Sequence, residues 1–224
     1  MKLHTALLIV LCLALAPVPS MADNLYDNGP VNGQVDAWTI NFGFTVSDSF
    51  QLSSGGTVMG IQFWAWLVPG DTISNVEVQI GAAAFGNELT DQIVNLSQAN
   101  CFANNLGYNV CAEYGNFGTP ISLGAGNYWV TLSNATVPSG DPVYWDENSG
   151  IGCSSPGCPS QAQENTIGTI PSESFTILGA AATTSSTCGC CAVSPSDCPE
   201  PSTLLLFGSG SFGLAAMVRI KRRR

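Results

Sequence analysis

Apolar and polar residues alternate along several short stretches of the chain. Residues 38–46 carry an apolar side chain at every second position, and residues 75–80 and 127–133 repeat this pattern. Because successive side chains of a β-strand point to opposite faces, a period of two predicts strands with one buried face. Between the two chain ends, no stretch of helical period is long enough to compete with this interpretation.

Turn-forming residues separate the predicted strands. Ser-Gly-Gly at 54–56, Pro-Gly-Asp at 69–71 and Ser-Gly-Asp-Pro at 139–142 supply the residues that tight turns favour. Short strands joined by such turns are typical of β-sandwiches. The pattern therefore predicts an all-β domain, an antiparallel β-sandwich that is jelly-roll-like.

One predicted strand, residues 57–68, is apolar on both faces, with Trp64 and Trp66 opposite its more regular apolar face. Two hypotheses account for these rings. In the first, they form an exposed platform that stacks against sugar rings, together with Tyr144 or Trp145, as in a carbohydrate-binding module. In the second, the strand is central and its second face is covered by packing or by a loop.

The body of the chain contains no positively charged side chain. All six lysines and arginines are Lys2 or lie within residues 219–224, the one histidine is His4, and sixteen acidic residues occupy the region between. Nucleic-acid binding is excluded, because it rests on Lys and Arg at phosphates. Histidine-activated nucleophiles and Schiff-base chemistry are excluded too, so we predict that the protein is not an enzyme.

Carboxylates remain as candidate functional groups. Asp27, and Asp141, Asp146 and Glu147 within residues 141–148, lie in oxygen-rich segments of the kind that coordinate calcium. The same residue types also form Asx turns, and no other cofactor is expected. The pair Asp146 and Glu147 beside aromatic rings suggests a third hypothesis, a carboxylate-dependent glycosidase, although adjacent strand residues point to opposite faces.

The start of the chain predicts a secretory signal peptide. Lys2 precedes an uncharged apolar segment, residues 6–16, and small residues stand just before position 23. We therefore assign residues 1–22 to the signal peptide and residues 23–178 to the β-sandwich domain.

The cysteines predict disulfides. Removing Cys12 with the signal peptide leaves an even number of cysteines in an oxidising compartment. The economical local pairs are Cys101 with Cys111 and Cys153 with Cys158, but the sequence leaves the pairing open. Residues 179–198 are small and polar, as in a linker, and contain further cysteines that pair within the chain or join two chains, namely Cys188, Cys190, Cys191 and Cys198.

The end of the chain has three parts in sequence. Pro199, Glu200 and Pro201 come first, an apolar run follows at 203–220, and a basic cluster at 221–224 ends the chain. The run is at the lower length limit for crossing a bilayer, and the basic cluster would keep the tip cytoplasmic.

These three parts resemble the PEP-CTERM sorting signal of Gram-negative bacteria, over residues 199–224. The resemblance implies that a membrane protease, exosortase, recognises Pro199, Glu200 and Pro201 and that the segment from Leu204 onward is removed. It also implies a precursor held in the inner membrane and a mature protein at the surface or in the matrix of bacteria that make exopolysaccharide.

Together, these patterns favour a secreted, surface-sorted protein with a structural or adhesive role in the envelope or extracellular matrix. The expected partners are exosortase and extracellular polysaccharide. A carbohydrate-binding module and a glycosidase are the alternative hypotheses.

Overall fold

The computed structural model describes residues 23–148, 153 and 155–182. The predicted signal peptide, most of the linker with its four cysteines, and the C-terminal sorting segment lie outside these residues. Within them, no helix is long and apolar enough to cross a membrane.

The described residues form twelve strands joined by turns and loops. The strands are β1 (Asp23–Asp27), β2 (Ala37–Thr39), β3 (Thr45–Leu52), β4 (Gly56–Leu67), β5 (Asn75–Gly81), β6 (Thr90–Ala103), β7 (Asn109–Leu123), β8 (Gly126–Thr136), β9 (Tyr144–Asp146), β10 (Ala162–Glu164), β11 (Gly168–Ile170) and β12 (Phe175–Ala181).

These strands make one curled antiparallel sheet in the order β1-β12-β4-β7-β6-β5-β8-β3-β10-β11, with β9 beside β4 and β2 beside β9. Three of the pairings are nested in sequence: β3 with β8, β4 with β7, and β5 with β6. Strand β6 pairs with β5 through its first half and with β7 through its second half. Strand β6 therefore passes from one half of the curled sheet to the other. The predicted all-β antiparallel class is confirmed.

The core lies between two halves of the curled sheet. One half contains β1, β12, β4, β7, β9, β2 and the second part of β6, and the other contains the first part of β6, β5, β8, β3, β10 and β11. Val76, Val78 and Ile80 of β5 are fully buried, as the alternation predicts. Tyr26 of β1 contacts Phe50 of β3 with ring centroids 5.9 Å apart, which brings the two halves together. Burying one apolar face of each half removes their side chains from water and supplies the main stabilisation of such a fold.

The prediction of one strand over residues 38–46 is wrong. Strand β2 ends at Thr39, and a turn in which Phe44 N donates to Asn41 O (3.0 Å) separates it from β3. Phe42 has a φ of 58° and is 63 % exposed. The two strands pair in different halves of the sheet, so the alternating pattern spans two elements rather than one.

Candidate functional site

The four aromatic residues of the proposed glycan platform do not form one exposed surface. Trp66 is 4 % exposed and packs against Tyr108, with ring centroids 5.8 Å apart. Trp145 is fully buried in the core, where its Nε1 donates to Ser174 O (3.0 Å). Trp64 and Tyr144 are half-buried and keep accessible surface. A sugar ring therefore cannot stack on Trp66 or Trp145.

A loop covers the outer face of β4 at Trp66, which agrees with the hypothesis of a central strand buried on both faces. The Asp146 carboxylate holds this loop by accepting from Asn32 N and Gly33 N, both at 2.8 Å. Asp146 also accepts from Trp66 Nε1 at 2.5 Å. Gly33 has a φ of 69°, and a Cβ there would lie 2.8 Å from the ring of Phe102. This backbone conformation favours glycine, and any side chain here would have to displace the Phe102 ring.

We expect Asp146→Ala to destabilise the domain by about 2 kcal/mol, because two buried donors and one half-buried donor lose their acceptor while the cost of burying the carboxylate disappears. Thermal unfolding of the variant, with Asp141→Ala at a half-buried loop position as the matched control, measures this effect. A melting temperature equal to that of the control variant would show that Asp146 does not hold the loop.

Beyond this loop, Trp64 lies in an open groove of about 340 Å³. Trp64 contacts Phe102 with ring centroids 6.1 Å apart, and its backbone N–H donates to Ser174 O (3.2 Å). Gln62 lies on the same face of β4, two residues before Trp64, and pairs with Thr176 of β12. The groove is lined by Asn24, Asp27, Gly29, Pro30, Val31, Gln62, Trp64 and Thr176.

A buried hydrogen-bond network lies beside the end of β1, centred on Asn28. The Asn28 Nδ2 group donates to Ser172 Oγ (2.7 Å) and to Asp48 Oδ2 (3.3 Å). Its Oδ1 atom accepts from Tyr26 OH (2.8 Å) and from Ser160 N (3.1 Å). Every polar atom of the Asn28 side chain thus has a partner, and the residue connects chain segments that are distant in sequence.

Several carboxyl groups are buried without a cationic side chain nearby, since the chain has no Lys, Arg or His between His4 and Arg219. Burial raises the pKa of Asp48 to about 7 and that of Glu113 to about 8. Burial, together with the charge of Asp48, also raises the pKa of Glu173. Neither carboxyl oxygen of Glu113 or Glu173 has a hydrogen-bond partner among the described residues. The Glu113 carboxyl is therefore mostly protonated at neutral pH, and burial favours the neutral form of Glu173 in the same direction.

The residues of the predicted calcium site serve other contacts. Asp27 Oδ1 accepts from Gly29 N (3.0 Å), which is an Asx turn, and Asp146 holds the loop described above. Asp141 and Glu147 are half-buried. In the part of the chain that the structure describes, no three His, Cys, Asp or Glu side chains are grouped so that they could hold a metal ion.

The geometry also gives a carboxylate-dependent glycosidase no support. Asp146 is fully buried, and its carboxylate already accepts three hydrogen bonds. Burial raises the pKa of Asp146 to about 6 and also raises the pKa of Glu147. A substrate in the groove beside Trp64 would find only Asp27 as an acidic lining residue.

Comparisons with known proteins match one segment of the chain. Residues 197–223 match the PEP-CTERM protein-sorting motif. The chain carries a PEP-CTERM sorting motif. No curated protein and no solved structure matches the chain. The PEP-CTERM motif implies export, a membrane-anchored precursor, exosortase as the processing partner and sorting of the product to the cell surface.

The export that the sorting motif implies would place the cysteines where disulfides persist. The structure joins Cys101 to Cys111 across β6 and β7, which confirms that predicted pair, and it also joins Cys153 to Cys158. The second bond lies close to the Asn28 network, since a Cβ on Gly29 would be 2.9 Å from Cys153 Cβ. One disulfide thus links strands β6 and β7, and the other closes a short loop beside the Asn28 network.

Sequence reasoning found Trp64 but missed the polar residues beside it. Gln62 could have been predicted as part of the site, because it lies two residues before Trp64 in the same strand and so shares its face. Asn24 and Thr176 gave no such signal, since only strand pairing places β12 next to β4 and β1 next to β12. Asn28 and Glu113 were missed for the same reason: their burial depends on partners far away in sequence.

Proposed function

We propose that this protein is a structural or adhesive component of the bacterial envelope or extracellular matrix and is not an enzyme. The observation that carries the proposal is the PEP-CTERM motif behind an exported domain that lacks Lys, Arg and His. The sorting motif directs the domain to the surface, and the composition leaves it few means of catalysis.

The nested strand pairs support a jelly-roll-like sandwich as the form of this domain. In such a fold a long hairpin is rolled up so that its paired strands are distributed over two layers. Here β5 lies beside β8 and β6 lies beside β7, as rolling of the hairpin requires. Such a domain, with disulfides and a long antiparallel sheet, suits a durable surface component.

The experiment compares a deletion strain of the exosortase-bearing host complemented with the wild-type gene or with Pro199, Glu200 and Pro201 all changed to alanine. We expect the variant to accumulate as membrane-bound precursor and the cells to lose matrix cohesion as the deletion strain does. Intact-mass spectrometry of surface material and the adherent biomass measure the two effects.

The matched control is Pro195→Ala, which removes a proline just outside the matched segment. It should be processed and should restore cohesion like the wild type. If Arg224 remains on most surface molecules, the processing expectation fails. If cohesion is the same with and without the gene, the structural or adhesive role is refuted even where processing is normal.

A further inference from the structure

We propose that the groove beside Trp64 binds a neutral polysaccharide, and that this is how the protein attaches to its matrix. The inference rests on the proposed adhesive role and adds the class of ligand. The groove is formed by β1, β12 and β4 and by the segment that follows β1.

The Trp64 ring is held in place and remains accessible. Trp64 is half-buried, and Phe102 supports it from one side, with the two ring planes tilted by 53°. Its neighbour Trp66 is covered by the loop that Asp146 holds, but that loop leaves Trp64 beside open space. A tryptophan that is fixed by its own packing and still accessible can stack on the apolar face of a sugar without losing much side-chain entropy.

The wall of the groove carries polar side chains. The side chains of Asn24, Gln62 and Thr176 make no hydrogen bond with any other described residue. Asp27 also lines the groove, and one oxygen of its carboxylate accepts the turn hydrogen bond from Gly29 N. Amide groups both donate and accept, as hydroxyl-rich ligands require. A few oriented polar groups beside an aromatic ring are the usual composition of a small-molecule site.

The groove has no positively charged lining residue. The body of the chain has no Lys, Arg or His, and Asp27 adds a negative charge to the groove. Anionic polymers would be repelled, and the protein has no cation to compensate their charge. A volume of about 340 Å³ is at the lower end for ligand sites, which fits a short stretch of an uncharged glycan chain.

The experiment is affinity electrophoresis of the folded full chain through gels that contain a neutral polysaccharide, tested one at a time with laminarin, xylan, galactomannan and dextran. Alginate serves as the anionic probe. We expect at least one neutral polysaccharide to retard the wild type and alginate to have no effect. Trp64→Ala should weaken the interaction by about tenfold or more, which corresponds to the loss of roughly 1.4 kcal/mol.

Two further variants separate binding from folding. Gln62→Ala removes a polar group from the groove without emptying the core, so it should bind more weakly at an unchanged melting temperature. Trp129→Ala removes a half-buried tryptophan of β8 outside the groove and should bind like the wild type.

If the wild type binds none of the four neutral polysaccharides, or if a folded Gln62→Ala and a folded Trp64→Ala both bind as well as the wild type, the groove is not a glycan site. Either result leaves the surface role to be decided by the processing and cohesion experiment alone. Weaker binding by both groove variants, with Trp129→Ala unchanged, would support the assignment.

Discussion

Replacing Glu113 with leucine is expected to stabilise the domain by on the order of 4 kcal/mol at pH 8. The Glu113 side chain is fully buried on the core-facing side of β7, and neither carboxyl oxygen has a hydrogen-bond partner among the described residues. Its pKa of about 8 means that the folded state holds a proton that the unfolded chain has given up. A leucine of similar size removes both the free-energy cost of binding this proton on folding and the buried polar group.

Chemical denaturation of the wild type and Glu113→Leu at pH 5 and pH 8 measures the gain. Glu113→Gln is the matched control, because it is also uncharged but keeps a polar group in the core. The glutamine variant should lose the pH-dependent part of the cost and gain less stability than leucine. If Glu113→Leu is less stable than the wild type at pH 8, Glu113 has a favourable partner and our account of its burial is wrong.

The second expected result is a strong loss of stability as the pH rises. Asp48, Glu113 and Asp146 have pKa values of about 7, 8 and 6 in the folded state, all above their ordinary values because of burial. For acids with raised folded pKa values, unfolding releases protons once the pH exceeds the unfolded pKa near 4. The free energy of unfolding therefore falls from about pH 4 until the pH passes the folded values.

The summed effect between pH 5 and pH 8 is on the order of 5–10 kcal/mol, a large part of the stability of a typical domain. The melting temperature should fall by about 15 °C or more over this interval. Scanning calorimetry at high salt tests the burial contribution, because salt screens repulsion between exposed carboxylates but hardly affects buried groups. A melting temperature that is constant or rises with pH would contradict the proposed protonation states.

Local sequence pattern predicts part of this fold well. Residues 75–80 alternate strictly, and their apolar members are buried because β5 lies between β6 and β8. The same pattern over residues 38–46 misleads, because Phe42 and Phe44 lie on an exposed turn between two strands. Alternation records which side chains could share a face, but it does not show where the chain leaves one half of the sheet for the other.

The candidate site divides in the same way. The sequence marks Trp64 and Trp66 as equivalent, since both lie on the same face of one strand. The structure separates them, because the Asp146 carboxylate draws residues Asn32 and Gly33 over Trp66. That contact joins residues more than a hundred positions apart, and no local pattern reveals it.

By itself, the sequence determined the sorting motif, the number and positions of the cysteines and the absence of cations between the two chain ends, because these depend on residue identity and order alone. Only the tertiary structure decided which carboxyls are buried, which tryptophan stays accessible and which polar side chains line its groove. These properties depend on strand pairing between distant segments, where the gain from burying apolar faces fixes the register and carries Glu113, Asp48 and Asp146 inside with it.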